Sequence, residues 1–269
     1  MVTWNEAAPP RLAEITTPQK LRGALRVVGV VSVTASALGL FLIGKAIRAH
    51  LWRGFEAHFL VARLWARIML RLMGVRRSVV GTPLRSGGVL VANHASWADI
   101  LALRACRRIN FVSKAEVRAW PWIGWIAAQC ETVFIARRRA ETKAQQSVLR
   151  ERLERGELLC LFPEGTSSDG LRVLPFKSAL LSFLFEDGVR DSAWVQAATV
   201  NWIAPEGQPP AFYAWWGNMP FEGHIWDMVC RSAGGRVEIV FHEPIRLAEA
   251  ADRKSLAARL EDQVRAAKR

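Results

Sequence analysis

From residue 89 to residue 241 the chain alternates short apolar runs with stretches of helical period, and this alternation restricts the fold more than any other feature of the sequence. Segments 89–92, 109–113, 132–135, 158–162, 195–200, 212–215 and 237–241 have the length and the β-branched or aromatic content of buried strands. Helical pattern falls between several of them, at 140–155 and 177–186, and again at 249–268. Strands apolar along their whole length must be covered on both faces, and helices between them supply the crossovers that parallel pairing needs. The expected fold is therefore α/β, a mixed, largely parallel sheet flanked by helices, with a loop at Pro205, Pro209 and Pro210.

The amino-terminal part reads differently. Residues 27–44 carry no charge and lie between Arg26 and Lys45; as a helix they extend about 27 Å against a hydrocarbon core of about 30 Å. Ala35, Ser36 and Ala37 imitate a leader cleavage site, but LGLFLIG continues the apolar run directly after them, so an uncleaved anchor is the expectation. A buried or interfacial helix is the alternative, because Gly29, Ser32, Thr34 and Gly39 dilute the run. In 55–74, Arg63, Arg67 and Arg71 recur at i, i+4 and i+8, which predicts an amphipathic helix with a cationic stripe facing either solvent or a membrane surface. Residues 1–78 are expected to form a membrane-associated helical segment and 79–269 a catalytic domain.

Apolar residues make up 51% of the chain, and 37 Lys and Arg against 24 Asp and Glu leave a charge of +13. Apolar and basic together favour an anionic membrane surface as partner. Nucleic acid is not expected: no binding motif is present, there is one Tyr, and many of the Trp lie inside apolar runs. Cys106, Cys130, Cys160 and Cys230 are too far apart for a metal pair or a dense disulfide framework. The histidines at 50, 58, 94, 224 and 242 show no H-E-x-x-H spacing, so no metal is expected. GLFLIGKA at 39–46 approaches a phosphate-binding loop, but Ala46 stands at the hydroxyl position and no strand precedes it.

The chemistry concentrates in VLVANHASWADILAL, 89–103, where Asn93, His94 and Asp99 interrupt an otherwise apolar stretch. VLVA reads as a buried strand and ADILAL as the helix after it, which places His94 at the strand-to-helix corner where α/β sheets collect their chemistry. Five residues along a helix turn side chains by about 140°. His94 and Asp99 therefore meet only if His94 precedes the helix and Asp99 lies one turn in. A carboxylate then holds one imidazole nitrogen while the other faces a substrate. A second cluster, LLCLFPEGTSSDG at 158–170, ends a buried strand in a Pro- and Gly-shaped loop. No G-x-S-x-G elbow supplies a nucleophile, so the substrate is expected to bring its own hydroxyl, for His94 to deprotonate toward an ester or thioester carbonyl, with helix-start N–H groups available as oxyanion donors.

N-H-x-x-x-x-D at such a corner, followed some seventy residues later by F-P-E-G-T, resembles the glycerophospholipid and lysophospholipid acyltransferase family over about 89–199. The resemblance implies that His94 is the general base and Asp99 its partner. It also implies that Asn93, Phe162, Pro163, Glu164, Gly165 and Thr166 help to form the acceptor site, with Lys114 in FVSKAEV and Arg137 in ETVFIAR as candidate acceptor contacts. No cofactor is implied; acyl-CoA or acyl carrier protein brings the acyl group, a lysolipid receives it, and the enzyme works at the cytoplasmic face of a membrane. Three positions depart from the family pattern: Glu131 replaces a glycine, Gln196 a proline, and Ser167 follows F-P-E-G-T where arginine is usual. Arginine is the fork that grips phosphate bidentately, so Ser167 weakens the expectation of a phosphate-bearing acceptor unless Arg137 or Arg172 replaces it. TSSDGLRVLPFKSALL, 166–181, resembles the branch with bacterial lyso-ornithine lipid acyltransferases. The family's usual acceptor, lysophosphatidic acid, is the expected one, with lyso-ornithine lipid as its alternative, and a lipid hydrolase and a noncatalytic lipid-binding protein are the alternatives of other classes.

Overall fold

Thr17–His50 forms one helix, α1, longer at both ends than the uncharged run within it. The Gln19 side chain accepts from the Thr16 N–H at 2.9 Å, and Pro18 occupies the first turn, where a missing N–H costs nothing. A second helix, α2 (Ala57–Leu72), lies antiparallel on α1: Gly29 meets Leu72, Trp65 Nε1 donates to Thr34 Oγ1 at 3.1 Å, and Phe41 meets His58. Ala66, Met69 and Leu70 turn inward. Within the arginine stripe, Arg67 donates to the Ala105 carbonyl at 2.8 Å, while Arg71 is exposed.

This is a computed structural model, and it describes residues 4–85, 87–135, 142–186, 189–190 and 193–269. The elements that follow are β1 (Val75–Val80), β2 (Gly88–Ala92), α3 (Asp99–Arg104), β3 (Asn110–Lys114), α4 (Ile123–Gln129), β4 (Val133–Ile135), α5 (Thr142–Glu154), β5 (Leu158–Leu161), β6 (Trp194–Ile203), α6 (Phe221–Arg231), β7 (Gly235–Phe241), β8 (Ile245–Arg246) and α7 (Arg253–Ala266). The described strands form one sheet in the order β1-β7-β6-β2-β5-β3-β4, with β8 on β6. Pairing is parallel everywhere except β6 with β7 and with β8, so the sheet is mixed and largely parallel, as expected.

Alternation along the strands divides the core. Leu90, Ala92, Cys160, Val200 and Trp202 face the layer of α1, α2, α3 and α6, while Val89, Val91, Leu159, Val195 and Ala197 face α7 and the 3-10 helix Ser178–Phe185. β2 is buried throughout, with parallel neighbours on both sides.

Several expectations need correction. The boundary at 78/79 falls inside β1, whose six residues pair with β7, so the first strand of the sheet straddles the expected division. β1 escaped notice because VRRSVV carries two arginines and has an exposed face. Residues 212–215 are a buried turn rather than a strand: after Pro209 and Pro210 the chain makes i→i+3 bonds, Phe212 N to Pro209 O at 2.9 Å and Ala214 N to Ala211 O at 3.0 Å. Residues 178–185 are 3-10 rather than α-helical. Gln196, one of the three departures, is buried and ties separate backbones together, donating to Thr82 O at 2.9 Å and His242 O at 2.8 Å and accepting from Leu84 N at 2.9 Å.

Candidate active site

His94 lies between β2 and α3, where the backbone leaves the sheet. Its Nδ1 is 2.8 Å from Asp99 Oδ2. Because a carboxylate accepts, the bond requires the imidazole proton on Nδ1 and leaves the Nε2 lone pair as the base. Asp99 opens α3 and is fully buried. Its Oδ2 also accepts from Ala95 N at 2.8 Å and Ser96 N at 2.9 Å, and its Oδ1 accepts from Trp202 Nε1 at 2.6 Å. Four donors on one carboxylate satisfy a charge that burial would otherwise penalise heavily. The Ala95 and Ser96 N–H groups are thereby committed to Asp99, which corrects the expectation that these helix-start donors form an oxyanion hole.

The loop after β5 fixes His94 on its remaining sides. Glu164 Oε1 accepts from His94 N at 2.8 Å, the His94 carbonyl accepts from Ser168 N at 3.0 Å, and the Phe162 ring stacks on the imidazole at 4.2 Å. Gly165 and Gly170 take positive φ, 68° and 73°, and a side chain at Gly170 would press on Ala95 Cβ at 3.1 Å. Glu164 is 1% exposed, and its Oε2 accepts from Leu174 N at 3.2 Å. The expected acceptor contact is therefore a buried brace that joins both motifs through the backbone of the base. Asn93 is a brace too: it accepts from Val200 N at 2.7 Å and donates to Val200 O at 3.0 Å, extending the β2–β6 pairing beyond the last strand residue.

Burial pushes the Glu164 carboxyl up to about 8, although the His94 and Leu174 N–H groups act the other way. A folded-state value raised above that of the unfolded chain means that the native state holds a proton the unfolded state has lost. This contribution is full below about 4.5 and disappears as pH rises through about 8. Glu164→Gln is accordingly expected to flatten the fall of Tm between pH 5 and 8 relative to wild type. Parallel Tm–pH curves for the two proteins would refute a protonated Glu164.

Lys114 ends β3, at the same edge of the sheet as His94 and two strand spacings, about 10 Å, from β2. Thr166 Oγ1 accepts from Trp4 N at 3.3 Å, so the amino-terminal segment reaches the loop. Pro163 is buried, and its carbonyl accepts from Lys177 N at 2.9 Å. Arg137 lies outside the described residues. Arg172 is bound to Asp169, with Nη2 to Oδ2 at 3.0 Å and Nε to Oδ1 at 3.3 Å. Trp202 was missed in the sequence; the available signal was an indole N–H, which needs a partner once buried, in a strand neighbouring β2. Trp97 Nε1 donates to His224 Nδ1 at 3.0 Å, and burial pushes His224 down to about 4, so it stays neutral as that acceptor requires.

Comparison with known proteins gives concordant results. The family model "Acyltransferase" matches residues 76–192. The lyso-ornithine lipid O-acyltransferase of Rhodobacter capsulatus is 41% identical over 263 residues, covering 97% of this chain and 95% of that protein. The enzyme of the same name from Brucella abortus is 39% identical over 74% of this chain and 78% of its own length. A 1-acyl-sn-glycerol-3-phosphate acyltransferase from Neisseria meningitidis serogroup B is 33% identical over 68% of this chain and 71% of its own. The crystal structure of the 1-acyl-sn-glycerophosphate acyltransferase from Thermotoga maritima shares the fold, with a TM-score of 0.63 at 22% identity, covering 92% of this chain and 95% of that one.

Proposed function

The chain belongs to the acyltransferase family, and from that membership we propose that it moves a fatty acyl group from a thioester carrier to the hydroxyl of lyso-ornithine lipid. His94 Nε2 takes the proton of the acceptor hydroxyl as the oxygen attacks the thioester carbonyl. The tetrahedral intermediate then expels the thiolate, which recovers the proton from His94. Asp99 holds the imidazole in the required tautomer and stabilises the imidazolium that forms. Acyl-CoA and acyl carrier protein both present such a thioester, and the cytoplasmic face of a membrane is where they meet a lysolipid.

One observation carries the choice of acceptor: the F-P-E-G-T loop is followed by a buried Ser167, and Arg172, which the sequence offered as a substitute phosphate ligand, is bound to Asp169. A lyso-ornithine lipid has no phosphate to grip. The name carried by the relatives at 41% and 39% identity points the same way. Competition between lyso-ornithine lipid and lysophosphatidic acid, scored as the ratio of kcat/KM, is expected to favour lyso-ornithine lipid by about tenfold or more, the effect of one well-made polar discrimination. A preference for lysophosphatidic acid would overturn the assignment. Ser167→Arg should lower Tm, since the 9% exposure of Ser167 leaves little room for a guanidinium; an unchanged Tm with faster use of lysophosphatidic acid would show that the loop readily accepts a phosphate ligand.

Membrane association rests on α1. One side of it docks along the domain, from Arg26, whose Nη1 donates to Val229 O and Ser232 O, to Lys45, whose Nζ donates to Gln129 O. Leu21, Leu25, Val28, Val31, Leu40 and Ile43 remain exposed along the helix, and Trp122 and Trp125 of the α4 region are exposed nearby. A helix held to the protein at both ends fits a position within one leaflet better than a span.

A further inference from the structure

At the end of the sheet opposite His94, one strand length or about 16 Å away, a crevice of about 780 Å³ opens at the starts of β3 and β5. Arg48, Arg63, Arg85, Arg107, Arg108 and Arg155 line it, with Glu56, Glu131 and Glu157. The carboxylates are already engaged. Glu56 and Glu131 hold Arg108 at 2.8 and 3.6 Å, and Glu157 takes Arg152 at 3.1 Å and Asn110 Nδ2 at 2.6 Å. Arg155 pairs outward with Glu151. Arg63, Arg85 and Arg107 have no acidic partner among the described residues, and the Arg107 guanidinium bonds only a backbone carbonyl, that of Arg85. Burial and the neighbouring Arg63 and Arg85 charges push Arg107 down from its ordinary value.

Like charges held together without a counter-ion are a standing cost, relieved by an anion that reaches all three. The rim indicates its source. Leu60, in the lining, Leu64, one turn further along α2, and Leu51 and Trp52, in the turn between α1 and α2, are exposed. Cationic groups beside exposed aliphatic and indole side chains match the boundary between lipid headgroups and acyl chains. We propose that the crevice binds the phosphate group of an anionic membrane lipid, held between Arg63, Arg85 and Arg107. This rests on the membrane association proposed above, and it separates lipid recognition from the acyl-transfer site at the other end of the sheet.

The test uses the full chain on vesicles of phosphatidylglycerol mixed with phosphatidylcholine, and on vesicles of phosphatidylcholine alone. A variant with Arg63→Gln, Arg85→Gln and Arg107→Gln is compared with one of equal charge change, Arg53→Gln, Arg71→Gln and Arg76→Gln, at exposed positions outside the crevice. Wild type is expected to favour the anionic vesicles about tenfold or more. The crevice variant should lose that preference while keeping its retention on phosphatidylcholine, and the second variant should keep most of it. Equal loss in both variants would reduce the effect to net charge and overturn the site. Equal wild-type retention on both vesicle types would overturn it too, leaving membrane association intact, whereas retention on neither would overturn both. Inorganic phosphate that raises Tm of wild type but not of the crevice variant, without any vesicle preference, would assign the anion to solution and overturn the lipid.

Discussion

His94→Ala is expected to lower kcat/KM by about 10²–10⁴-fold, the usual contribution of a positioned general base, with little change in Tm. The stability half of this expectation follows from Asp99. With the imidazole gone, the buried carboxylate still accepts from Ala95 N, Ser96 N and Trp202 Nε1, so no charge is left unsatisfied. What is lost is a partly exposed ring stacked on Phe162. Release of free thiol from an acyl-thioester in the presence of lysolipid, with a melting curve on the same sample, measures both quantities. A folded variant that turns over at the wild-type rate would eliminate His94 as the base.

Asp99→Asn should act on rate and stability together. Three donors converge on Oδ2 and one on Oδ1, whereas an amide offers one accepting oxygen and one NH₂. With the oxygen toward Ala95 and Ser96, the NH₂ opposes the Trp202 N–H, and an unmade buried bond of this kind costs about 1–3 kcal/mol. In a chain of this size that lowers Tm by several degrees, on the order of 2–4 °C per kcal/mol. The rate should fall by up to about 10⁴-fold, because the amide cannot stabilise the imidazolium. Adding Trp202→Phe removes the opposed donor but leaves the amide NH₂ unpaired, so the double variant should lose less Tm than the two single variants together, without regaining activity. If activity returned with stability, the role of Asp99 would be structural alone.

The pair His94–Asp99 was legible because both residues lie in one strand-to-helix corner, where spacing and local geometry are linked. The α/β class was legible for a related reason, since strands such as β2 and β5 are apolar on both faces. Contacts across long sequence separations were not. Trp202 on Asp99, Gln196 on the Thr82 carbonyl and the Glu164 brace on the His94 backbone join segments that only the sheet order brings together. Glu164 and Asn93 were recognisable as belonging to the site, but residue type does not distinguish a substrate contact from a buried acceptor; burial does. The turn at 212–215 misled because a buried turn and a buried strand present the same short apolar run.

The place of β1 has a consequence for synthesis. It runs beside β7, with Val75 opposite Gly235, so the first strand to leave the ribosome must wait for the last long one. At ordinary elongation rates of about 5–20 residues per second, that wait is roughly 10–30 s. For most of it α1 and α2 are complete, while α6, against which α1 docks in the finished fold, is not yet made. Under the membrane association proposed above, the apolar helix pair meets the bilayer as a nascent chain before it meets its own domain, and the sheet closes at a lipid surface. Refolding without lipid removes that order of events and is expected to yield mostly aggregate, whereas refolding with vesicles or detergent present from the start should restore soluble, active protein.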